Sequence, residues 1–391
     1  MNRKKIQILY SLLQGFYWVL FGVTISFANS YLSGLGVGAD FIGLTTALFS
    51  GLAALAQVYL AKLARKNYKY NWKSLLLVLL FLRFLMNFLL LFVQTKVLAS
   101  FLFGMAIFAA QSMLPFISTA NFYYASNGLE LDYGLARGAG SLFFAIMTII
   151  VGNLVANYGI LSILTTGIIA CILFFIPLIL LPYDHERDFT GAAKVKEEVK
   201  SGFFKKYPQF SISLLAFIFI MVIHNNTNTF LLQIIQNVGA SNRELGKALF
   251  IAAIFELPVM FYFSRLLKKF KTKSMLMVSS LAFALKTFIY LISTDILGIY
   301  LSQSLQLLSF ALFIATCVYY TQDMVELEDS QQAQSMTASS ITLGSVFGSL
   351  IGGFLIKNYS LKLNLWVMIG FSLASFVILS LVKDGKVESR P

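Results

Sequence analysis

The sequence has 391 residues, of which 58% are hydrophobic and only 12% are charged. So apolar a composition leaves too little polar surface for a soluble protein of this length, and it indicates a polytopic membrane protein. The net charge of +13 does not by itself indicate a nucleic-acid partner, because the basic loops of a membrane protein face anionic lipid headgroups.

Apolar segments of about 20 residues, long enough to cross a bilayer, recur along the whole chain. The first follows MNRKK and is too long for a secretory signal, so we interpret it as a retained span. An all-α polytopic membrane protein with twelve transmembrane helices is therefore predicted. In chain order the predicted spans are 6–29, 41–62, 74–95, 98–121, 136–157, 160–182, 209–235, 245–266, 275–294, 297–320, 336–357 and 363–382.

One long hydrophilic stretch divides the twelve spans into six and six. We predict an N-terminal six-helix bundle at 1–182, a cytoplasmic inter-domain loop at 183–208, and a C-terminal six-helix bundle with a short cytoplasmic tail at 209–391. Most of the 30 Lys and Arg residues fall in the N-terminus, the loops after even-numbered spans and the C-terminus. The positive-inside rule then places both termini in the cytoplasm, and the expected location is the cell membrane.

Two short sequence matches indicate that the six-span unit is duplicated. YLAKLARK from Tyr59 matches YFSRLLKK from Tyr262 in residue type, at an offset of 203 residues. VGNLVANYG from Val151 resembles GGFLIKNYS from Gly352 at an offset of 201. Two such halves predict a central cavity between them and transport by alternating access.

Ionisable residues within the predicted spans are candidate functional groups, because a charge at membrane depth is costly unless it is paired or hydrated. Glu256 is the only acid deep in a span, whereas Arg83, Arg137 and Lys286 are deep or nearly deep cations, as is His224 when protonated. Two plainer interpretations stay open. Arg137 would reach headgroups from a span end, and Lys286 would neutralise Glu256 as a structural pair.

A polar run and a proline mark two further positions. His224 begins HNNTNT, and this run predicts either interhelical hydrogen bonds or the lining of a cavity. Pro258 follows Glu256 by two residues and cannot donate a backbone hydrogen bond, so a kink beside the carboxylate is expected. Cys171 and Cys317 both lie in apolar runs, and neither a disulfide framework nor a metal cluster is expected from them.

The stretches DYGLARGAGS (132–141) and IFELPVMF (254–261) resemble the major facilitator superfamily, and within it the lactose permease-like oligosaccharide and proton symporters. The resemblance places Arg137 on that family's sugar-binding arginine and Ser141 on its substrate-protected cysteine. It places Glu256 on the essential glutamate, which in that family contacts sugar hydroxyls and helps to link binding to protonation.

The sequence departs from that pattern in spans four and ten. Asn121 stands near the position of an expected acidic residue in span four. Gln306 and Ser309 stand near the His and Glu of the family's proton relay in span ten, and neither titrates in the useful range. The span-nine arginine is matched in type by Lys286. Galactoside specificity and the usual relay are therefore not implied.

These observations predict a secondary active transporter, with proton-coupled uptake of a small polar solute such as a sugar or oligosaccharide as the first hypothesis. The alternatives are a proton-driven exporter of amphipathic or drug-like compounds and an importer of nucleosides or aromatic acids. Glu256 is the first candidate for carrying the proton, and His224 is the second. The predicted substrate-binding residues are Arg137, Glu256, Asn121, Asn225, Asn226, Lys286, Gln306 and Ser141.

The expected partners are a small-molecule substrate, protons and the lipid bilayer, and the chain is expected to act as a monomer. No cofactor, metal or nucleic acid is expected. An enzyme or receptor is disfavoured, since the sequence has no phosphate-cradling G-x-x-x-x-G-K-[ST] loop and no paired catalytic acids.

Overall fold

A computed structural model describes residues 3–66, 71–93, 95–184 and 202–383. All regular secondary structure within these ranges is helical. Twelve helical segments there are long and apolar enough to cross a membrane. The predicted all-α fold class with twelve transmembrane helices is confirmed.

The described residues divide into two compact units. The first unit is drawn from Met1–Lys196 with Leu245–Phe250, and the second from Glu197–Glu244 with Ile251–Pro391. Most of the predicted inter-domain loop, residues 185–201, lies outside the described residues. Its last part contains a short helix, α9 (Phe203–Lys206).

The first unit holds the first six spans. Its apolar segments form helices because a backbone in lipid must satisfy its hydrogen bonds within the segment. Polar side chains cap two of them: Asn71 accepts from the backbone of Lys73 and Ser74, and Asp132 accepts from that of Leu135. The helices are α1 (Arg3–Ile25), α2 (Ala28–Gly34), α3 (Ala39–Lys66), α4 (Trp72–Leu90), α5 (Lys96–Ser112), α6 (Leu114–Ser126), α7 (Tyr133–Tyr158) and α8 (Leu161–Leu180).

The second unit holds the last six spans, apart from Leu245–Phe250 of α12, and is built in the same way. Ser241 and Glu244 form a reciprocal capping box at the start of its second span, which satisfies two of the free N–H groups at that helix end. The helices are α10 (Pro208–Thr229), α11 (Leu231–Asn237), α12 (Asn242–Lys269), α13 (Thr272–Ile292), α14 (Ile296–Ser304), α15 (Phe310–Met324), α16 (Ser330–Asn358) and α17 (Leu361–Leu381).

Each unit packs around an aromatic core of its own. Many large apolar side chains are exposed instead, among them Phe81 and Phe261, as expected of helices that face lipid rather than water. The largest core side chains of the first unit are Trp72, Tyr10, Tyr17, Tyr124 and Phe174; those of the second unit include Phe210, Phe217, Phe313 and Tyr320.

Four spans are interrupted, and the interruptions recur in both units. α1 gives way to α2 at Phe27, and α10 gives way to α11 at Phe230, with nearly equal backbone angles at the two phenylalanines. Span four breaks at Met113, between α5 and α6. Span ten breaks between α14 and α15, through a 3-10 turn at Leu305–Leu307. Discontinuous helices at corresponding places in two repeats are typical of transporter binding regions.

A pair of lysine contacts also recurs in both units. Lys73, at the start of α4, donates from Nζ to the carbonyls of Ile179 and Leu181 at 3.1 and 2.6 Å. Lys273, at the start of α13, donates to the carbonyls of Ser380 and Val382 at 3.3 and 2.5 Å. In each unit a lysine satisfies the otherwise free carbonyls at the end of the sixth span.

Candidate functional site

A chain of hydrogen bonds joins three polar side chains at membrane depth in the second unit. Lys286 Nζ donates to Gln306 Oε1, and Gln306 Nε2 donates to Glu256 Oε1 at 2.9 Å. Glu256 lies at the midpoint of α12, and Lys286 lies well inside α13. All three belong to the predicted binding set, so the structure brings Glu256, Lys286 and Gln306 together.

The interruption of span ten is what positions Gln306. Gln306 lies in the 3-10 turn at Leu305–Leu307, where the α-helical hydrogen-bond pattern stops. Ser279 of α13 donates to the carbonyl of Ser309 at 2.7 Å, and Ser302 donates to the carbonyl of Lys286 at 2.8 Å. These bonds satisfy backbone groups at the break and hold α13 against it.

Lys286 is buried, and burial strengthens the electrostatic interactions of its ammonium group. Lys286 and Gln306 are 2% and 3% exposed, whereas Glu256 is half-buried. The Lys286 ammonium also lies 6.0 Å from the ring centroid of Tyr290. Since charges interact strongly where water is excluded, a change of charge at Glu256 acts on the buried cation through one neutral amide.

His224 lies in an aromatic and amide environment on α10. Its ring stacks on Phe310 with centroids 3.8 Å apart and planes at 5°, and Phe283 approaches it edge-on. Asn228 Nδ2 lies 3.0 Å from His224 Nε2. The histidine therefore has two aromatic partners and one amide partner, and these fix the plane of its ring.

The two asparagines after His224 make interhelical hydrogen bonds. Asn225 Nδ2 donates to the carbonyl of Ser345 and to Ser349 Oγ, both at 2.6 Å. Asn226 is fully buried and exchanges hydrogen bonds with Asn364 of α17 at 3.0 and 2.8 Å. Of the two interpretations of the HNNTNT run, the interhelical one describes the contacts of Asn225 and Asn226.

In the first unit, Arg137 of α7 is held by a tryptophan and a serine. Its guanidinium carbon lies 4.1 Å from the centroid of the Trp18 ring, and Nη1 donates to Ser141 Oγ at 2.9 Å. A Cβ atom on Gly140 would collide with the Trp18 ring, so glycine there lets α1 and α7 approach closely. The structure thus brings Arg137 and Ser141 together and adds an aromatic face.

Asn121 of α6 belongs to the same unit. It is half-buried, and its Oδ1 atom is buried without a hydrogen-bond partner among the described residues. A buried amide oxygen without a partner carries the desolvation cost of an unmade hydrogen bond.

In the described part of the chain, no group of three or more His, Cys, Asp or Glu residues could hold a metal ion. Cys171 and Cys317 are both buried and free.

Sequence reasoning missed the aromatic residues that accompany the polar ones. These aromatic residues lie on largely apolar helices. They are Trp18, which packs on Arg137, Phe310, which stacks on His224, and Tyr290, which lies beside Lys286. Nothing in the composition of their segments separates them from packing aromatics. The one usable signal is Gly140, since small residues beside Arg137 indicate a close approach by another helix.

The model of the MFS_1 like family matches residues 10–374 of the chain. The chain belongs to this family of the major facilitator superfamily. No curated protein sequence matches it significantly.

Several solved transporters share the fold at low sequence identity. The nucleoside transporter NupG is 15% identical over 98% of this chain and 100% of its own, with a TM-score of 0.84. A mutant of the peptide transporter POT is 11% identical over 97% of each chain, with a TM-score of 0.72. A D-xylose-proton symporter is 14% identical over 97% of each chain, with a TM-score of 0.70. At these identities the comparisons establish the fold of a membrane transporter.

Proposed function

We propose that the chain is a secondary active transporter that couples proton entry to the uptake of a small hydroxyl-bearing solute, with a sugar or oligosaccharide as the first class. The observation that carries this proposal is the hydrogen-bonded chain from buried Lys286 through buried Gln306 to half-buried Glu256, beside the interruption of span ten. It unites a titratable anion, a buried cation and hydrogen-bonding groups that suit hydroxyls.

In this proposal Glu256 both binds the solute and carries the proton. Its carboxylate accepts hydrogen bonds from solute hydroxyls, which are strong because the acceptor is charged. Protonation removes the negative charge that faces the Gln306 amide, so the protonation state of Glu256 changes the electrostatic interaction with Lys286. Alternating access then exposes the protonated, loaded form to the opposite side of the membrane.

Arg137 is the proposed solute contact of the first unit. Its guanidinium already packs on Trp18 and bonds to Ser141, so it is pre-organised to donate to solute oxygens. Asn121 supplies an acceptor in the same unit. Kinship with the lactose permease-like symporters, a cell-membrane location and cytoplasmic termini form part of the same proposal.

A nucleoside is the second candidate solute, and the aromatic faces favour it. A nucleoside carries sugar hydroxyls and a flat base, and flat bases stack on aromatic rings. Trp18 and the stacked pair of His224 and Phe310 place rings beside polar groups in both units. NupG, which shares the fold, is a nucleoside transporter.

Uptake by purified protein in liposomes tests the proposal and separates the candidates. The panel contains a disaccharide, a pentose, a purine nucleoside, a pyrimidine nucleoside, an aromatic carboxylate and an amphipathic dye. With an inward proton gradient, we expect accumulation of sugars or nucleosides that stops when a protonophore is added. Proton-driven extrusion of the dye, without accumulation of any hydroxyl-bearing solute, would establish the exporter instead.

A further inference from the structure

A second buried cation, Arg83, lies within the first unit and has no part in the proposed solute site. It lies in α4 and is 1% exposed. Its Nε and Nη2 atoms both donate to Thr24 Oγ1 of α1, at 3.0 and 2.7 Å. Its Nη1 atom is buried without a hydrogen-bond partner among the described residues.

Asn87 lies one helical turn after Arg83 on the same face of α4. It is fully buried, and neither Nδ2 nor Oδ1 has a hydrogen-bond partner in the described part of the chain. Both side chains meet Gly167 of α8, where a Cβ atom would collide with Asn87 Nδ2 and lie 3.2 Å from Arg83 Nη2. The guanidinium of Arg83 and the amide of Asn87 therefore both lie against the same glycine of α8.

The helices of this unit provide no carboxylate for Arg83. Neither Asp nor Glu occurs in α1, α2, α4, α5, α6, α7 or α8. The one acid of α3 is Asp40, in the first turn of that helix. A buried guanidinium opposite a single neutral hydroxyl is costly at membrane depth, and an anion beside it would relieve that cost.

We propose that Arg83, Asn87 and Thr24 form a binding site for a small monovalent anion of about the size of chloride, within the first unit. Arg83 Nη1 and Asn87 Nδ2 supply N–H donors, while Thr24 holds the guanidinium in place. Thr24, Arg83 and Asn87 are all at most 1% exposed, so an anion held by them would be shielded from bulk water. This site is independent of the proposed solute and of proton coupling.

Thermal unfolding of the purified protein at constant ionic strength tests the site. Gluconate, a bulky anion, is replaced stepwise by chloride, bromide or formate. We expect the Tm to rise with each tenfold increase in chloride or bromide, because a ligand that binds only the folded state stabilises it by mass action. An equal response to formate would identify the carboxylate of a solute as a second source of the anion.

Variants separate this site from general salt effects. Arg83→Met replaces the buried cation with an apolar side chain of similar length, a change that buried charges often tolerate, and it abolishes the chloride response. Asn87→Leu removes the second donor and is expected to reduce the chloride response. This variant serves as the test if Arg83→Met does not fold. Lys96→Met, at an exposed cation of the same unit, keeps the full response. A Tm equal in chloride and gluconate, or an undiminished response in Arg83→Met, would overturn the proposal.

Discussion

Gln306 is the side chain through which a buried ammonium and a half-buried carboxylate are connected. An amide suits this position because it accepts with Oε1 and donates with Nε2. It remains neutral itself, so the charge of Lys286 and the charge of Glu256 stay distinct. A titratable residue at the same place would add a third charge to a site that excludes water.

Replacing Gln306 by leucine is expected to destabilise the protein by about 1–3 kcal/mol, because the buried Lys286 ammonium loses its acceptor. The double variant Lys286→Met/Gln306→Leu should regain most of this loss, since removing both partners of a buried polar pair is often nearly neutral. Thermal unfolding of both variants measures the difference.

Gln331→Leu, at an exposed glutamine on α16, is the matched control and should leave the Tm nearly unchanged. If the double variant were as unstable as Gln306→Leu alone, the bond between Lys286 and Gln306 would not be the stabilising contact.

The sequence identified the charged residues of the candidate site, but it did not predict which residues they contact. Glu256, Lys286 and Arg137 stand out because charges are rare in apolar spans. The contacts of these residues depend on how helices far apart in sequence pack together. This is why the sequence could not decide whether Asn226 lines a cavity or bonds to Asn364, and why it missed Trp18 and Phe310.

Hydropathy predicted the transmembrane helices, because a segment of about twenty apolar residues in lipid has few alternatives to a helix. The interruptions at Phe27, Met113, Phe230 and Leu305–Leu307 were not predictable in the same way. A break of one to five residues leaves the mean hydropathy of a span nearly unchanged. Pro258, where a kink was expected, lies inside a helix that is continuous from Asn242 to Lys269.

The lysines that cap the sixth span of each unit should contribute equally to stability. Lys73→Met and Lys273→Met each remove two bonds to helix-end carbonyls, and each is expected to cost about 1 kcal/mol. Unfolding measurements on both variants, with the exposed Lys362→Met as control, test this equivalence. A marked loss in one unit alone would contradict the structural repeat at this position.

An ion-pair cluster at the start of α10 predicts a pH dependence. Lys206 Nζ lies 2.6 Å from Glu326 and 2.8 Å from Asp329, and Tyr207 also donates to Asp329. Hydrogen bonds to Asp329 and Glu326 raise the pKa of Lys206, whereas the hydrogen bond and charge of Lys206 lower the pKa of Glu326.

The two pKa shifts set an acid limit and an alkaline limit to the stabilisation of the fold by this ion-pair cluster. The contribution of Glu326 is present above the ordinary glutamate pKa and is lost as the pH falls through the lowered folded-state pKa. The contribution of Lys206 is present below the ordinary lysine pKa and is lost only as the pH rises through the raised one.

Lys206→Met should therefore lower the Tm at neutral pH, and its difference from the native protein should shrink in acid. Tm measured against pH checks this, with the exposed neighbour Lys205→Met as control. A difference that stays constant through the acid range would exclude the ion pair with Glu326 as its cause.

At the scale of the whole molecule, the duplication seen in the sequence recurs in the structure as matching elements. The offset of 203 between Tyr59 and Tyr262 is also the offset between the helix breaks at Phe27 and Phe230. A transporter built from repeats has its polar groups arranged by such breaks. The fold therefore followed from hydropathy and repetition, whereas the solute depends on a few side chains that hydropathy does not resolve.

In the proposed mechanism, uptake is coupled to the protonation of Glu256, and accumulation by Glu256→Gln in liposomes is the decisive measurement. Glutamine keeps an oxygen that can accept from Gln306 but cannot take up or release a proton. We expect uphill accumulation under a proton gradient to disappear while exchange of labelled for unlabelled solute continues. The exposed Glu328→Gln should accumulate normally. Undiminished accumulation by Glu256→Gln would show that Glu256 does not carry the coupled proton.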